Sequence, residues 1–284
     1  MFIKEEDNRL FLRHGPINIV LEAIGIDKDL AYQNVKEYFE TLLEQFVLDM
    51  ELLKKEVVFN RKFNNKISQS MQDATERYSP AFITPMAAVA GSVADNILRV
   101  LINNKNLDKA YVNNGGDISF YLNKNQIMKA SLAAIPNMIA EIKYKDKSRG
   151  IATSGWRGKS FSRGIADSVT VLADNAAMAD AAATMIGNAV DIHNHPKIKK
   201  RPANEIYEDS DLKNLLITVE VENLTKVEIK EALKNGYQTA LQYVQKDMIN
   251  TALIQLSNFF CIVQKNSTDL NIINKSNLKE ITYN

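Results

Sequence analysis

The sequence predicts an α+β fold in which antiparallel sheets are packed with helices. Three observations carry that reading. Short apolar alternations face each other across turns rich in glycine and asparagine. Longer stretches repeat their apolar residues at three- and four-residue steps, the period of a helix with one buried face. The two kinds of segment are interleaved without an internal repeat or an interdomain linker, which favours layers of sheet and helix over separate all-α and all-β parts. With 45% hydrophobic and 24% charged residues in 284 positions, the chain can bury a sizeable core. We read residues 1–265 as one domain and 266–284 as a C-terminal tail.

In chain order, Arg9–Leu12 and Ile17–Ala23 read as strands around the turn His14-Gly15-Pro16, with Gly25 closing the second. Lys28 to Lys54 is predicted to be one long amphipathic helix, with Val35, Phe39, Leu42, Phe46 and Leu53 on its apolar side. A shorter helix spans Ile67–Tyr78 and ends before Pro80. Pro85 then opens a segment, Met86–Ile102, that is apolar on nearly all faces and rich in alanine and glycine, as a buried helix would be. Lys109–Asn113, Ile118–Leu122 and Gln126–Ala133 read as a three-stranded meander. Gly150–Thr153 and Ser168–Ala173 are further strands. Asp174 or Asn175 caps an alanine-rich helix that runs to about Val190. Residues 191–211 look like a long polar loop. Leu215–Val221 is a strand, Lys226–Lys246 a helix, and Thr251–Leu256 with Phe259–Val263 a closing hairpin.

Bulk properties exclude some functions. Thirty-five basic and 34 acidic residues leave a net charge of +1, so no overall field draws the chain to nucleic acid or to an anionic membrane. A small-molecule or nucleotide ligand is the expected partner, and a homo-oligomer is left open. The lone Cys261 has no intramolecular disulfide partner and lies in an apolar run, as a core thiol would. The first residues lack the apolar stretch of a secretory signal, and no uninterrupted run of 18 apolar residues occurs, so a cytoplasmic location is expected.

Asp180 and Thr184 stand four apart on the alanine-rich helix, so their oxygens project from one face one turn apart. Carboxylate and hydroxyl are hard donors that suit Mg²⁺, which takes only one or two protein carboxylates and fills its octahedron with water and phosphate. The rival reading is an exposed aspartate beside a threonine bonded back to the preceding turn. From Ala176 to Ala183 every residue but Met178 and Asp180 is alanine, and a carboxylate set in so apolar a surface needs a partner. The turn Asn113-Asn114-Gly115-Gly116-Asp117 can bring a ligand close to backbone N–H groups, although a plain hairpin explains its glycines equally well. In the loop 150–160, Thr153, Ser154, Gly155, Arg157, Lys159 and Ser160 together could hold an anion, and Trp156 could cover a ring; a solvated basic loop is the alternative. Asp191, His193 and His195 superficially resemble a zinc set, but further ligands are wanting. His14 sits at a turn beside Arg13 and could be catalytic, although a turn histidine more often is not.

With these motifs collected, the chain resembles the ApbE family of flavin transferases, and more closely a smaller offshoot of it in bacteria and archaea. The resemblance runs from about residue 10 to 264 through RHGPINIVLEAIG, FITPMAAVAGSVAD, YVNNGGDI, GIATSGWRGKSFSRGIADSVTVLA and NAAMADAAATMIGNAVD. It implies a T-fold-like α+β core that binds FAD and Mg²⁺ and transfers FMN to a threonine of a target protein. It places Gly115, Gly116 and Asp117 at the family's GGD turn, Thr153, Ser154 and Gly155 at its TSG loop, and Asp180 and Thr184 at its metal-binding Ala-Asp-x-x-x-Thr helix. The transferases carry a histidine-isoleucine-isoleucine-aspartate-proline stretch where this chain has Ser162 to Asp167, and a lysine-glycine that MAAVAGSVAD lacks. Two functions follow as expectations. One is Mg²⁺-dependent nucleotidyl or FMN transfer with a bound flavin, FAD or FMN. The other is a non-catalytic flavin- or ligand-binding protein serving redox or sulfur assimilation, such as homocysteine synthesis, in anaerobes. A third reading makes the alanine-rich helices a scaffold and Asp180 structural.

Overall fold

The computed structural model describes residues 1–132, 138–265 and 279–283. Along the chain run β1 (Phe2–Glu6), β2 (Arg9–His14), β3 (Ile17–Gly25), α1 (Lys28–Val47), α2 (Met50–Leu53), α3 (Lys66–Thr75), α4 (Val89–Ile102), β4 (Leu107–Asn114), β5 (Asp117–Leu122), β6 (Ile127–Ser131), β7 (Ile139–Lys143), β8 (Gly150–Ser154), β9 (Ser168–Ala173), α5 (Ala176–Ala189), β10 (Ile198–Pro202), α6 (Ala203–Ile206), β11 (Leu216–Val221), α7 (Lys226–Gln245), β12 (Thr251–Leu256), β13 (Phe259–Gln264) and β14 (Lys279–Glu280). This is the expected α+β mixture dominated by antiparallel strands. The chain divides into two compact units, each assembled from separate stretches: Met1–Met128, Lys143–Ala152 and Asp174–Ala181 form the first, and Lys129–Ile142, Thr153–Ala173 and Ala182–Asn284 the second.

In the first unit the strand order is β1-β2-β3-β4-β5-β8, and each neighbouring pair runs antiparallel. Alternation sets which side chains turn inward: Leu10 and Leu12 on β2, Ile19, Leu21 and Ala23 on β3, and Ala110 and Val112 on β4 are buried. Helices α1 and α4 cover that face with Tyr32, Val35, Phe39 and Leu42 from one and Val93, Ala94, Ile97 and Leu101 from the other. With the 3-10 turn before α4, Pro85–Ile102 is apolar and long enough to cross a membrane, at mean hydropathy 1.3, yet 56% of it is buried within the protein. It also carries Asp95 and Arg99. In the second unit β9, β12 and β13 pair antiparallel and β14 joins β13 in parallel. The apolar stripe of α7, with Ile229, Ala232, Leu233, Ala240 and Val244, is buried. Cys261 is buried in β13, and burial pushes its thiol up to about 12.

Several elements differ from the sequence reading. The long first helix breaks after Val47, and a separate turn of helix follows at Met50–Leu53. Strand β6 does not extend a meander from β5; it pairs with β7 in its own two-stranded sheet. Ala133, the predicted end of that strand, lies outside the described residues, as does the tail apart from 279–283. The supposed polar loop 191–211 contains β10 and α6, and β10 pairs antiparallel with β11. Its strand has the sequence IKKRP with only Ile198 buried, so the alternation that marks a strand is missing. β1 escaped for the same reason: FIKEE is exposed at every position but one.

The contact that fixes α4 against α5 is backbone to backbone. A Cβ on Gly91 would lie 2.3 Å from the carbonyl oxygen of Ala176, and one on Gly150 would lie 2.2 Å from the Ala176 nitrogen. Real side chains do not approach so closely, so the start of α5 is wedged between two glycines. Gly91→Ala gains helix propensity of about 1 kcal/mol. The clash nevertheless makes it destabilising by about 1–3 kcal/mol net, read as a lower urea midpoint of the full chain; an unchanged midpoint would show that α5 shifts aside at little cost.

Candidate functional site

Helices leave their first N–H groups unpaired, and α4 and α5 supply acceptors for each other. Asp95 on α4 takes the Ala176 N–H on Oδ1 at 3.0 Å and the Ala177 N–H on Oδ2 at 2.9 Å. Asp180 on α5 takes the Gly91 N–H on Oδ2 at 3.0 Å, and the Ala90 N–H also bonds to it. Asn175 completes the start of α5: its Oδ1 accepts the Met178 N–H at 2.8 Å, which settles the cap in favour of Asn175 over Asp174. Asn114 ties the same region to the sheet. Its side-chain NH2 donates to the Ala90 carbonyl at 3.2 Å, and its oxygen accepts from Asn18 N–H at 3.4 Å.

The two aspartates have different surroundings. Asp95 accepts a third bond, from Ser119 Oγ at 2.5 Å, so its carboxylate is surrounded by donors. Asp180 instead meets Asp117, the last residue of the glycine turn, with which it shares a hydrogen bond. Burial is the largest cause holding the Asp180 carboxyl well above the usual carboxylate range; repulsion from Asp117 adds to it, and the amides of Gly91 and Ala90 only partly oppose it. Burial also raises Asp95, against the lowering effect of its three donors. Two carboxyls in hydrogen-bond contact repel each other as anions, so a shared proton or a bound cation favours the contact, while the N–H groups that open α4 favour the charged form of Asp180.

The remaining candidates fall as follows. Gly115 and Gly116 have φ of +66° and +119°, with open space where a Cβ would stand. Their amides are already engaged: Gly115 N–H donates to Asn18 O at 3.2 Å and Gly116 N–H to Asn113 Oδ1 at 2.8 Å. The turn therefore presents Asp117 rather than free backbone donors. Asn114, Gly115, Gly116, Asp117 and Asp180 belong to the first unit; Thr153, Ser154, Gly155, Arg157 and Thr184 belong to the second. In that second unit Thr153 Oγ1 lies 2.9 Å from Thr170 Oγ1. A Cβ on Gly155 would lie 2.3 Å from the Asp167 carbonyl oxygen, so close packing by itself requires glycine there. Arg157 donates through Nε to Asp167 Oδ1 at 2.8 Å and lies over the Trp156 ring at 4.4 Å. Ser154 is half-buried, and Thr184, half-buried one turn beyond Asp180 on α5, makes no hydrogen bond to the preceding turn.

The histidines do not form a zinc site. His195 accepts from Lys197 N–H on Nδ1 at 3.3 Å, which leaves its Nε2–H to donate to Glu228 at 3.1 Å. Asp191 Oδ2 is held by Lys200 Nζ at 2.6 Å. Among the described residues no three His, Cys, Asp or Glu side chains converge as metal ligands; Asp117 and Asp180 form a two-carboxyl, hard-oxygen set of the kind Mg²⁺ takes from a protein. Sequence reasoning overlooked Asp95. The signal was present, because Asp95 also interrupts an apolar, small-residue helix and needed a partner for the same reason as Asp180.

A raised folded-state pKa sets the direction of the pH dependence. Both aspartates hold their proton more tightly when folded, so their contribution to stability is complete below the ordinary carboxylate value of about 4 and declines as pH rises through the folded values. The metal-free protein should therefore lose stability on going from acid to neutral pH. Asp180→Asn keeps an acceptor for Gly91 and removes the repulsion by Asp117, so it should be at least as stable at pH 8 with a pH slope that differs from the parent's by the Asp180 contribution. The slope left over includes Asp95 and, with opposite sign at the acid end, Glu228, whose carboxyl is held down by the Thr225 N–H. Thermal melts from pH 4 to 8 check this, and a slope unaltered by the substitution would remove Asp180 as its source.

The family described as AbpE bacteria matches residues 1–268. A UPF0280 protein of Methanobrevibacter smithii is 33% identical over 198 residues, covering 66% of this chain and 82% of that protein. Matches to UPF0280 proteins of Methanothrix thermoacetophila (38% over 111 residues) and Methanococcoides burtonii (39% over 114) span 46% and 47% of those proteins, about half their length. Among solved structures, the apbe protein of Thermotoga maritima aligns at a TM-score of 0.40 and 14% identity over 65% of this chain and 88% of that one. The apo form of Pseudomonas stutzeri flavinyl transferase ApbE aligns at 0.44 and 11%, over 93% and 96%.

Proposed function

For a chain that belongs to the AbpE bacteria family, we propose a protein that binds a flavin or another phosphate-bearing nucleotide together with Mg²⁺. The observation that carries this reading is the Asp117–Asp180 pair, two carboxyls held in contact beside the N–H groups that open α4. A pair of this kind is costly without a proton or a cation between the oxygens. Asp117 and Asp180 would be the charged donors, and the resemblance to the family's Ala-Asp-x-x-x-Thr helix, not the geometry, adds Thr184 as the neutral one. Bound Mg²⁺ would neutralise phosphate charge and hold the phosphate oxygens in place. Thr153, Ser154 and Gly155 are assigned to the nucleotide by the TSG resemblance, Arg157 by its charge in the same loop, and Asn114, Gly115 and Gly116 shape the turn that presents Asp117.

Nucleotidyl transfer is the finer form of this reading: the pyrophosphate of FAD is broken, FMN passes to an acceptor hydroxyl, and AMP leaves. One observation favours the alternative, a protein that binds flavin without transferring it. In the segment that replaces the histidine-containing stretch of the transferases, Asp167 is occupied by Arg157 Nε and by Ser257 N–H at 2.6 Å, and Ser162 Oγ accepts from Gly164 N–H at 3.2 Å. That segment offers no evident base to take a proton from an acceptor hydroxyl. Binding in service of redox or sulfur assimilation in anaerobes, homocysteine synthesis included, belongs to this second form.

Calorimetric titration with FAD, FMN and ATP, in Mg²⁺ and then in EDTA, tests the shared claim. At least one should bind more tightly in Mg²⁺ and raise the melting midpoint. Asp180→Asn should weaken that Mg²⁺-dependent binding by about tenfold, or 1.4 kcal/mol, and Thr184→Val by less. Binding indifferent to Mg²⁺, or equal in parent and Asp180→Asn, would remove the metal site. AMP appearing from FAD would select transfer; FAD recovered intact would select binding.

A further inference from the structure

The first unit holds a concavity that shares no residue with the Asp117–Asp180 pair. It is about 310 Å³ in volume, at the small end of the ligand-site range. Its wall is one side of α3 and the turn after it, where Lys66, Ala74 and Arg77 recur at helical spacing; Arg99 of α4 and Asn175 at the head of α5 face it. Three cations thus meet one carboxylate, Asp73, and Asp73 already accepts from the Gln69 side-chain amide at 2.6 Å.

None of Lys66, Arg77 and Arg99 makes a hydrogen bond or ion pair among the described residues, although Arg99 lies in the field of Asp95 one turn earlier on α4. All three are exposed, as cations awaiting a solvent-borne partner must be, while Ala74 beside them is buried. Asn175 gives its oxygen to Met178 N–H, which leaves its side-chain NH2 as a further donor. A solvated cationic face would need no cavity. Here cations from two helices and the turn between line the same one; even with Asp95 drawing on Arg99, the cations outnumber the carboxylates, and an entering anion relieves their mutual repulsion. Guanidinium forks pair bidentately with phosphate or carboxylate oxygens, and a lysine adds a point charge.

We infer that this cavity is a second binding site, specific for a small multivalent oxyanion: a compound with two or three phosphate or carboxylate groups close together. The site stands independently of Mg²⁺ and of the Asp117–Asp180 reading. Phosphate and carboxylate present the same chemistry to these donors, and the choice between them is left to titration.

The full chain is titrated calorimetrically in EDTA with sodium pyrophosphate and separately with citrate, at ionic strength fixed with chloride. Saturable binding near one equivalent is expected for at least one of them. Binding of pyrophosphate alone assigns a phosphate compound, and binding of citrate alone a polycarboxylate. The double variant Arg77→Gln/Arg99→Gln, exposed on both counts and so folded by far-UV circular dichroism, should weaken binding by about tenfold. Lys62→Gln, an exposed lysine outside the cavity, should leave it unchanged. No saturable binding of either compound, or equal binding by parent and double variant, would overturn the site. A short single-stranded oligonucleotide that binds more tightly than pyrophosphate and is weakened as much by Lys62→Gln would overturn it too, because the cations would then be a surface track for nucleic acid.

Discussion

Everything in the first unit that bears on function depends on two helices capping each other with aspartates. Asp95 of α4 accepts the opening N–H groups of α5, and Asp180 of α5 accepts those of α4. Each carboxylate satisfies donors that a helix cannot satisfy itself, and each does so on its neighbour. The arrangement requires the backbones to approach within a distance that no side chain tolerates, and the glycines at 91 and 150 provide it. Alanine along Ala176–Ala183 then becomes intelligible as packing: most of these residues are fully buried, with no room for larger side chains.

The same geometry separates a structural carboxylate from one suited to a ligand. Asp95 is met by a hydroxyl and two amides, so its buried charge has donors on both oxygens. Asp180 is met by amides on one side and by another carboxyl on the other. Since an isolated buried charge is expensive and a like-charged neighbour makes it more so, the Asp117–Asp180 contact persists through a shared proton or through a cation. The glycine turn matters through the residue it delivers: its own amides are held by Asn18 and Asn113, and Asp117 is what it brings to α4.

Much of this was legible in the sequence where the signal was periodic or chemically costly. Strand alternation located β2, β3, β4 and β5 because one face of each is buried, and a carboxylate among alanines singled out Asp180. What escaped had no local signature. β1 is exposed almost throughout, and β10, IKKRP, has one apolar residue beside proline, so neither shows alternation in its sequence. Asp95 meets α5 across 81 positions of sequence, and Asp180 meets Gly91 across 89, distances that no helical or strand period encodes. The pairing of Asp117 with Asp180 likewise belongs to the fold: the turn and the helix could each be identified, but nothing in either names the other. For the cluster Asp191-His193-His195, the shortage of further ligands already argued against zinc, and the fold binds Asp191 to Lys200 and His195 to Lys197 and Glu228.

The central claim is that Asp117 and Asp180 share a proton in the absence of metal and surrender it to a cation. Carbon-13 NMR of the aspartate carboxyl carbons, followed against pH with and without Mg²⁺, reads this directly, with assignments taken from Asp117→Asn and Asp180→Asn. The account predicts that in EDTA a resonance belonging to this pair titrates above the ordinary aspartate value of about 4, and that Mg²⁺ moves that titration to lower pH while leaving Asp95 in place. If both residues titrate in the ordinary range in EDTA, or if Mg²⁺ shifts neither, the pair is not a proton-linked cation site and the reading fails.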